Sequence, residues 1–232
     1  MKKIILSMFQ ALSTLFNGNT KTTEAVLEKA GILPNLIPDE NNQNINKLKI
    51  SGELNGTDIK YIREMIHLSH LDISEAKIVE QGDVYYNSDY SSYTTAENTI
   101  GSHMFYELKN LVSVALPNNI TTIEEWAFFQ CTGLTSVTIP NSVTSIEVSA
   151  FSNCNGLTHL TIGCGIKEIY YAAFYRCNSL KEIHIKAKKP PVVYCAFFKE
   201  DIVNCVLYVP KGTLNLYKNS DEWKYFKHII EE

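Results

Sequence analysis

Apolar and polar positions recur every 23 residues between Leu111 and Leu180. Within each unit the pattern L-x-x-[LVI]-x-[LI] places alternate apolar side chains on one face of a short strand. An Ala-Phe-x-x-Cys segment follows later in the unit. A fixed period of about 20–50 residues is typical of stacked coils, in which each unit covers the apolar face of its neighbour. The pattern therefore predicts a solenoid. The units open at Leu111, Leu134, Leu157 and Leu180.

Three further columns of the unit keep the same step. We expect each phenylalanine to insert between neighbouring coils and each repeated cysteine to face the core as a buried thiol. A disulfide between coils is the alternative, because adjacent strands lie about 4.8 Å apart, within the Cα range of a disulfide. The columns are Ala127, Ala150, Ala173 and Ala196; Phe128, Phe151, Phe174 and Phe197; and Cys131, Cys154 and Cys177.

The chain divides around this solenoid, which we place at residues 45–209. Residues 20–44 are predicted to be an N-terminal cap with a short helix at Glu24–Ala30, ended by Gly31. Residues 205–209 are predicted to be the final strand, and residues 210–232 a C-terminal cap helix, because a solenoid needs its open ends covered. The predicted fold class is an α/β leucine-rich-repeat solenoid, a right-handed coil of short strands and short helical or 3₁₀ turns with terminal caps.

The period fails once, before the regular coils. The strand starts at Leu68 and Leu111 are 43 residues apart, so this coil carries an insertion of 20 residues near positions 80–99. Insertions in repeats map to loops on one face, often the binding face. Tyrosines mixed with Ser, Asn, Asp and Thr favour contact surfaces. The alternative is a mobile loop, or one that folds back onto its coil. The candidate contact residues are Tyr85, Tyr86, Tyr90 and Tyr93.

The third and fifth positions of each L-x-x-L-x-L strand are predicted to face outward, and we call these side chains the outward ladder. They are small or hydroxylated in the middle coils and charged at both ends. The alternative is a solvated face whose threonines merely suit a strand. The predicted partner-binding residues on the ladder are His70, Asp72, His159, Glu182 and His184.

The complete unit, L-x-x-[LVI]-x-[LI]-P-x-x-[IV]-x-x-I-x-x-x-A-F-x-x-C-x-x-L, resembles the BspA-type leucine-rich repeats of bacterial surface proteins. The match is close over residues 111–180 and looser over residues 45–209. The resemblance implies a secreted or cell-surface protein that binds a host or bacterial extracellular protein or glycan and has no catalytic activity. It carries over no binding residues, because the motif positions are core positions.

Charge and hydropathy limit the remaining possibilities. The net charge is −4 and the pI is about 5.9, which argues against nucleic acid as a partner. No run of 18 apolar residues is present, so no transmembrane segment is predicted. Residues 1–19 begin with Lys2 and Lys3 before an apolar run, which predicts a signal peptide and a secreted or cell-surface location. The alternative is a first amphipathic helix packed on the stack.

The sequence contains no catalytic or cofactor motif that we recognise. His67 and His70 are three residues apart, but His70 lies on a predicted strand, where helical ligand spacing does not apply. We therefore expect no enzyme, no metal site and no cofactor. Two functions remain. The first is a binding and adhesion module, and the alternative is a structural or assembly subunit without a dedicated ligand.

Overall fold

The computed structural model describes residues 12–15 and 22–232 of the 232-residue chain. The strands are β1 Leu12–Leu15, β2 Thr22–Leu27, β3 Lys47–Leu54, β4 His70–Ile78, β5 Gln81–Asn87, β6 Ser92–Thr95, β7 Thr99–Ile100, β8 Ser113–Ala115, β9 Thr122–Ile123, β10 Ser136–Ile139, β11 Ser145–Ile146, β12 His159–Ile162, β13 Glu168–Ile169, β14 Glu182–Ile185, β15 Val192–Val193, β16 Val206–Val209 and β17 His228–Glu231. The helices are α1 Leu33–Leu36, α2 Asp39–Asn42, α3 Gly56–Arg63 and α4 Leu214–Lys218, and Trp223–Tyr225 is a 3₁₀ turn.

Two stacked sheets define the solenoid. The ten-stranded sheet has the order β1-β2-β3-β4-β8-β10-β12-β14-β16-β17, and all pairs from β2 to β17 are parallel. The five-stranded sheet has the order β15-β13-β11-β9-β7 and is also parallel. Each regular coil gives one strand to each sheet, with partners such as Ser136 and His159 one period apart. The predicted leucine-rich-repeat solenoid is confirmed.

The Ala-Phe-x-x-Cys turns form a third side of each coil, which we call the turn side. Here the backbone N–H of Phe128 donates to the carbonyl of Ala150 at 2.7 Å, and Phe151 repeats this bond with Ala173 at 2.8 Å. The residue two positions before each phenylalanine has a positive φ, such as 55° at Ser149, and its N–H also points at the next coil. Neighbouring coils are therefore joined by backbone hydrogen bonds on three sides.

A column of phenylalanine rings runs through the core. Successive ring centroids of Phe105, Phe128, Phe151, Phe174 and Phe197 are 5.1, 4.9, 5.4 and 5.2 Å apart. None of these side chains is more than 7% exposed. The insertion of phenylalanine between coils is confirmed. Phe105 extends the column one coil earlier. The repeat pattern did not indicate it, because Met104 stands where later coils have alanine.

The repeated cysteines are buried thiols that donate hydrogen bonds to the preceding coil. The Sγ atoms of Cys131, Cys154 and Cys177 lie 3.0, 3.1 and 3.2 Å from carbonyl oxygens 26 residues earlier. Burial raises the pKa of Cys131 to about 12, so this thiol keeps its proton at neutral pH. A proton on sulfur is what the hydrogen bond to a carbonyl requires.

The N-terminal cap differs from the prediction. The predicted helix at Glu24–Ala30 is wrong, because Thr22–Leu27 is strand β2 and extends the ten-stranded sheet through parallel pairing with β3. Its burial alternates with period two, since Thr23, Ala25 and Leu27 face the core. Main-chain pairing with the first coil overrides the helix propensity of this segment. The predicted signal peptide, residues 1–19, lies outside the described residues except for Leu12–Leu15, which pair antiparallel with β2.

The C-terminal cap is also not one helix. The helix α4 ends at Lys218, Glu222 has a φ of 65°, and strand β17 then pairs in parallel with β16. The strand predicted at residues 205–209 is present as β16, but the prediction that it is the final strand is wrong, because β17 follows it. The cap residues still cover the stack. Buried Tyr217 donates its hydroxyl to the carbonyl of Ala187 at 2.7 Å, and buried Trp223 donates Nε1–H to that of Pro191 at 3.0 Å.

Asp58 joins the N-terminal cap to the first coil. Its fully buried carboxyl accepts hydrogen bonds from the backbone N–H groups of Gly31 at 2.6 Å, Leu33 at 2.9 Å and Asn55 at 3.1 Å. Asn55 is the N-cap of α3 and completes a capping box. Burial raises the pKa of Asp58 more than the three donors lower it. One side chain thus holds a helix start and the chain segment that precedes it.

We predict that Phe151→Ala lowers the free energy of unfolding by about 3–5 kcal/mol, because it leaves a cavity between two coils. Urea unfolding followed by circular dichroism measures the change. Thr138→Ala on the exposed face of β10 is the matched control and should cost about 0.5 kcal/mol or less. A loss under about 1 kcal/mol for Phe151→Ala would contradict the packing of the phenylalanine column.

We predict that Asp58→Asn costs about 1–3 kcal/mol of unfolding free energy, although the two side chains have nearly the same shape. Both carboxyl oxygens accept N–H groups, so the amide must point an NH₂ at a donor in either orientation. The same substitution at exposed Asp89 in the hairpin is the control. Equal urea midpoints for the two variants would show that the Asp58 hydrogen bonds do not hold the cap.

Candidate binding surfaces

The structure aligns the outward ladder in two columns. Strand register places Lys47, His70, Ser113, Ser136, His159 and Glu182 side by side, each paired with the next. In the second column Lys49, Asp72 and Ala115 align, as do Thr138, Thr161 and His184. This confirms the predicted arrangement, whereas a role in binding stays a prediction. The end strands add six residues to the two columns of the ladder that the repeat pattern did not indicate. They are Thr22, Glu24, Val206, Tyr208, His228 and Ile230.

The N-terminal end of the ladder combines one ion pair with a carboxylate that accepts hydrogen bonds from a serine. Lys49 Nζ lies 2.8 Å from Glu75 Oε1, and Asp72 Oδ1 accepts from the backbone N–H and hydroxyl of Ser74 at 3.0 and 2.6 Å. Partial burial, and then the positive charge of Lys47, lower the pKa of His70, so its ring is neutral at pH 7. A shallow cleft of about 350 Å³ runs across these residues. This end offers both donors and acceptors.

The C-terminal end of the ladder carries a second charged cluster. Glu182 Oε2 lies 3.7 Å from His159 Nε2 and 3.5 Å from His184 Nε2, and His184 Nδ1 lies 2.8 Å from Glu232 Oε2. The hydrogen bond from Lys186, followed by the hydrogen bond with His184, holds the pKa of Glu232 below its usual value. Within the described residues, no three His, Cys, Asp or Glu side chains are arranged to hold a metal ion. The structure thus joins three of the predicted residues, His159, Glu182 and His184.

The tyrosine insertion folds into a hairpin of β5 and β6. Tyr85 is only 5% exposed, and its hydroxyl donates to the carbonyl of Ser102 at 2.8 Å. Burial raises its pKa. The prediction that Tyr85 offers a contact surface is therefore wrong, because the ring belongs to the core. Tyr90, at the hairpin tip, is 96% exposed. Tyr86 and Tyr93 are half-buried.

The hairpin folds back onto its coil through an aromatic cluster, in agreement with the alternative noted from the sequence. The ring of Tyr86 stacks on His103 with a centroid distance of 4.8 Å, and Tyr93 lies 4.7 Å from the same ring. Arg63 donates Nη1–H groups to the carbonyls of His103 at 2.9 Å and Met104 at 3.0 Å. Its guanidinium lies 5.0 Å from the Tyr86 ring centroid. Arg63 at the end of α3 thus fixes the hairpin, a role the sequence pattern does not indicate.

A second aromatic surface lies on the turn side near the C-terminus. It was not predicted from the sequence. A cleft of about 330 Å³, the turn-side groove, lies between the last two coils and the cap. Its signal in the sequence was an aromatic residue just before the left-handed turn position, which only the last two coils have, at Tyr171 and Tyr194. The groove is lined by Tyr171, Ala172, Tyr175, Cys195, Phe198 and Lys199, with Phe197, Glu200 and Glu222.

Comparison with protein families agrees with this architecture. Residues 98–209 match the model of the BspA type leucine rich repeat region in six copies. The matched part is just under half of the 232-residue chain, and it consists of repeats similar to the BspA type. The resemblance inferred from the repeat pattern is confirmed. Among curated proteins, none matches the chain significantly.

Several solved structures of bacterial leucine-rich repeat proteins are similar to the chain. The leucine-rich repeat protein of T. pallidum is 16% identical, with 93% of this chain and 91% of that one covered and a TM-score of 0.45. The pneumococcal vaccine antigen PcpA is 20% identical, with 82% and 40% covered and a TM-score of 0.48. A leucine-rich repeat protein from Eubacterium ventriosum is 13% identical, with 86% and 82% covered and a TM-score of 0.41.

Over residues 12–15 and 22–232, no helix is long and apolar enough to cross a membrane.

We predict that Arg63→Ala releases the hairpin, because two carbonyl groups lose a charged donor and the Tyr86 ring loses its cation. The expected loss of stability is about 1.5–3 kcal/mol, with faster cleavage by proteases between Asn87 and Ser92. Lys60→Ala, whose Nζ is 3.9 Å from Asp83 Oδ2 on an exposed surface, should change neither quantity measurably. Unchanged proteolysis of Arg63→Ala would show that the hairpin is held by other contacts.

Proposed function

We propose that the chain is a secreted or cell-surface binding and adhesion module, which recognises a host or bacterial extracellular protein or glycan through its outward ladder. The observation that carries the proposal is the rigid spacing of the ladder. Parallel backbone pairing fixes each outward side chain about 4.8 Å from its neighbour in the next coil. Such a surface is organised before a partner arrives, which reduces the entropy cost of binding.

The composition of the ladder supports recognition of a polar macromolecule. Small and hydroxylated residues such as Ser136, Thr138 and Thr161 occupy the middle, where they leave room for close approach. The polar and charged groups around His70 and Asp72 at one end, and around Glu182 and His184 at the other, can orient the partner. Packing does not require these outward residues, because the core of each coil is filled by its leucines, isoleucines and phenylalanines.

The family of the matched repeats supports an extracellular location. The predicted signal peptide at residues 1–19 is consistent with that location and remains a prediction. The roles of Tyr86, Tyr90 and Tyr93 also remain predictions, and Tyr90 is the best placed of the three because its ring is almost completely exposed. The proposed activity is binding alone, without a reaction.

We predict that charge reversal on the ladder weakens partner binding by about tenfold, because a like charge then faces the complementary group of the partner. The partner is first identified on arrays of extracellular-matrix proteins and glycans. Its affinity is then measured by biolayer interferometry for Asp72→Lys and Glu182→Lys. The matched control is Glu125→Lys, the same charge change at an exposed turn-side position.

Equal affinity of the two ladder variants and the control would contradict a ladder-based interface. Light scattering of the unmodified chain separates the alternative function. Concentration-dependent self-association, without any saturable partner on the arrays, would favour a structural or assembly subunit over a binding module.

A further inference from the structure

The exposed aromatic side chains of the protein are not spread evenly. Among the described residues, the large aromatic side chains that are strongly exposed are Tyr90, Tyr171, Tyr194, Phe198 and Tyr225. Four of these five lie in or beside the last two coils, on the turn side and the cap. Tyr171 is 63% exposed and Phe198 is 47% exposed. Single exposed apolar residues need no explanation, whereas a contiguous set marks an interaction site.

The turn-side groove collects part of this set around a cleft. Tyr171, Tyr175 and Phe198 supply rings, and the rings of Tyr175 and Phe198 meet edge to face at 5.3 Å. Ala172 and Cys195 supply small side chains at the turn position with a φ of 55° and 50°. In the earlier coils this turn position is occupied by His103, Trp126 and Ser149. The cleft therefore depends on small residues where a large one is sterically possible.

The cleft is not needed to stack the coils. The turn at Ala172 already donates backbone N–H groups to the last coil, from Ala172 to the carbonyl of Cys195 at 3.0 Å and from Phe174 to that of Ala196 at 2.9 Å. The phenylalanine column beneath is complete, with Phe174 fully buried. In the preceding coil the positions equivalent to Tyr171 and Tyr175 are Val148 and Ser152, and the fold there is the same. The aromatic residues of the groove are thus additional to the fold.

The polar groups at the groove identify the chemistry of a ligand. Lys199 offers N–H donors, Glu200 and Glu222 offer carboxylate acceptors, and the tyrosine hydroxyls offer both. The charges have mixed sign, so neither an anionic nor a cationic ligand is selected. Ring faces favour contact with polarised C–H groups through their quadrupole. A pyranose ring combines an apolar C–H face with a rim of hydroxyl groups that donate and accept.

We propose that the turn-side groove is a binding site for a neutral glycan. One sugar face packs on Tyr171 and Phe198, and its hydroxyl rim reaches Lys199, Glu200 and Glu222. The cleft of about 330 Å³ is of the size usual for small-ligand sites. This site is separate from the outward ladder and does not depend on the function proposed for it. The chain then holds two partners on different sides of the solenoid.

Isothermal titration calorimetry of the full chain with cellohexaose, maltohexaose, mannohexaose and chitohexaose tests the proposal. We expect saturable binding of at least one of these neutral oligosaccharides. Tyr171→Ala and Phe198→Ala should each weaken it about tenfold or more, as aromatic anchors do in other sites. Tyr90→Ala is the matched control, because it removes an exposed tyrosine from the hairpin tip and should leave the affinity unchanged.

Thermal unfolding of each variant ensures that a lost signal is not lost folding, and Tyr171→Phe provides a second variant that keeps the ring. It should retain most of the affinity if ring stacking dominates. The proposal is overturned if none of the four sugars binds at millimolar concentration, if the groove variants bind like Tyr90→Ala, or if a peptide competes for the groove and sugars do not. Glu182→Lys should leave sugar binding intact, so failure of the ladder interface and failure of this site are distinguishable.

Discussion

Backbone hydrogen bonding between coils is the interaction on which the rest of this structure depends. It acts on three sides of each regular coil, through the ten-stranded sheet, the five-stranded sheet and the turn side. Because these bonds fix the separation of neighbouring coils at about one strand spacing, each core column must be filled by side chains that repeat at that distance. Stacked phenylalanine rings 4.9–5.4 Å apart satisfy this condition. Cysteine is small enough to fit beside them while donating to a carbonyl.

The same constraint explains which features could be predicted from the sequence. Columns such as Phe128, Phe151 and Phe174 keep one period in sequence and in space, so the solenoid and its outward face follow from counting residues. The ends do not repeat. There, the helices predicted at Glu24–Ala30 and within residues 210–232 compete with the free edge of a sheet, and the sheet adds strands β2 and β17. A single sequence pattern does not indicate the outcome of that competition.

The candidate surfaces also differ in how far they could be predicted from the sequence. The ladder residues His70 and Glu182 were predictable because alternation along a strand decides which side chains face outward. The hairpin was not, because Tyr85, Tyr86 and Tyr90 follow each other closely but their exposed fractions range from 5% to 96%. The position of the Tyr86 ring depends on Arg63 and His103, which lie elsewhere in the chain. The turn-side groove likewise arises from residues one period apart, whose significance appears only when the coils are stacked.

The repeat therefore serves as a rigid scaffold, and the proposed recognition lies in residues that the stack does not need. Hydrogen–deuterium exchange of the free protein tests this account most directly. We predict that amides of the two sheets and of the turn side within residues 98–209 exchange together, through one cooperative opening, whereas amides of β5 and β6 exchange faster through local opening of the hairpin. Turn-side amides that exchange much faster than the sheet amides of the same coil would contradict the claim that all three sides hold the coils together.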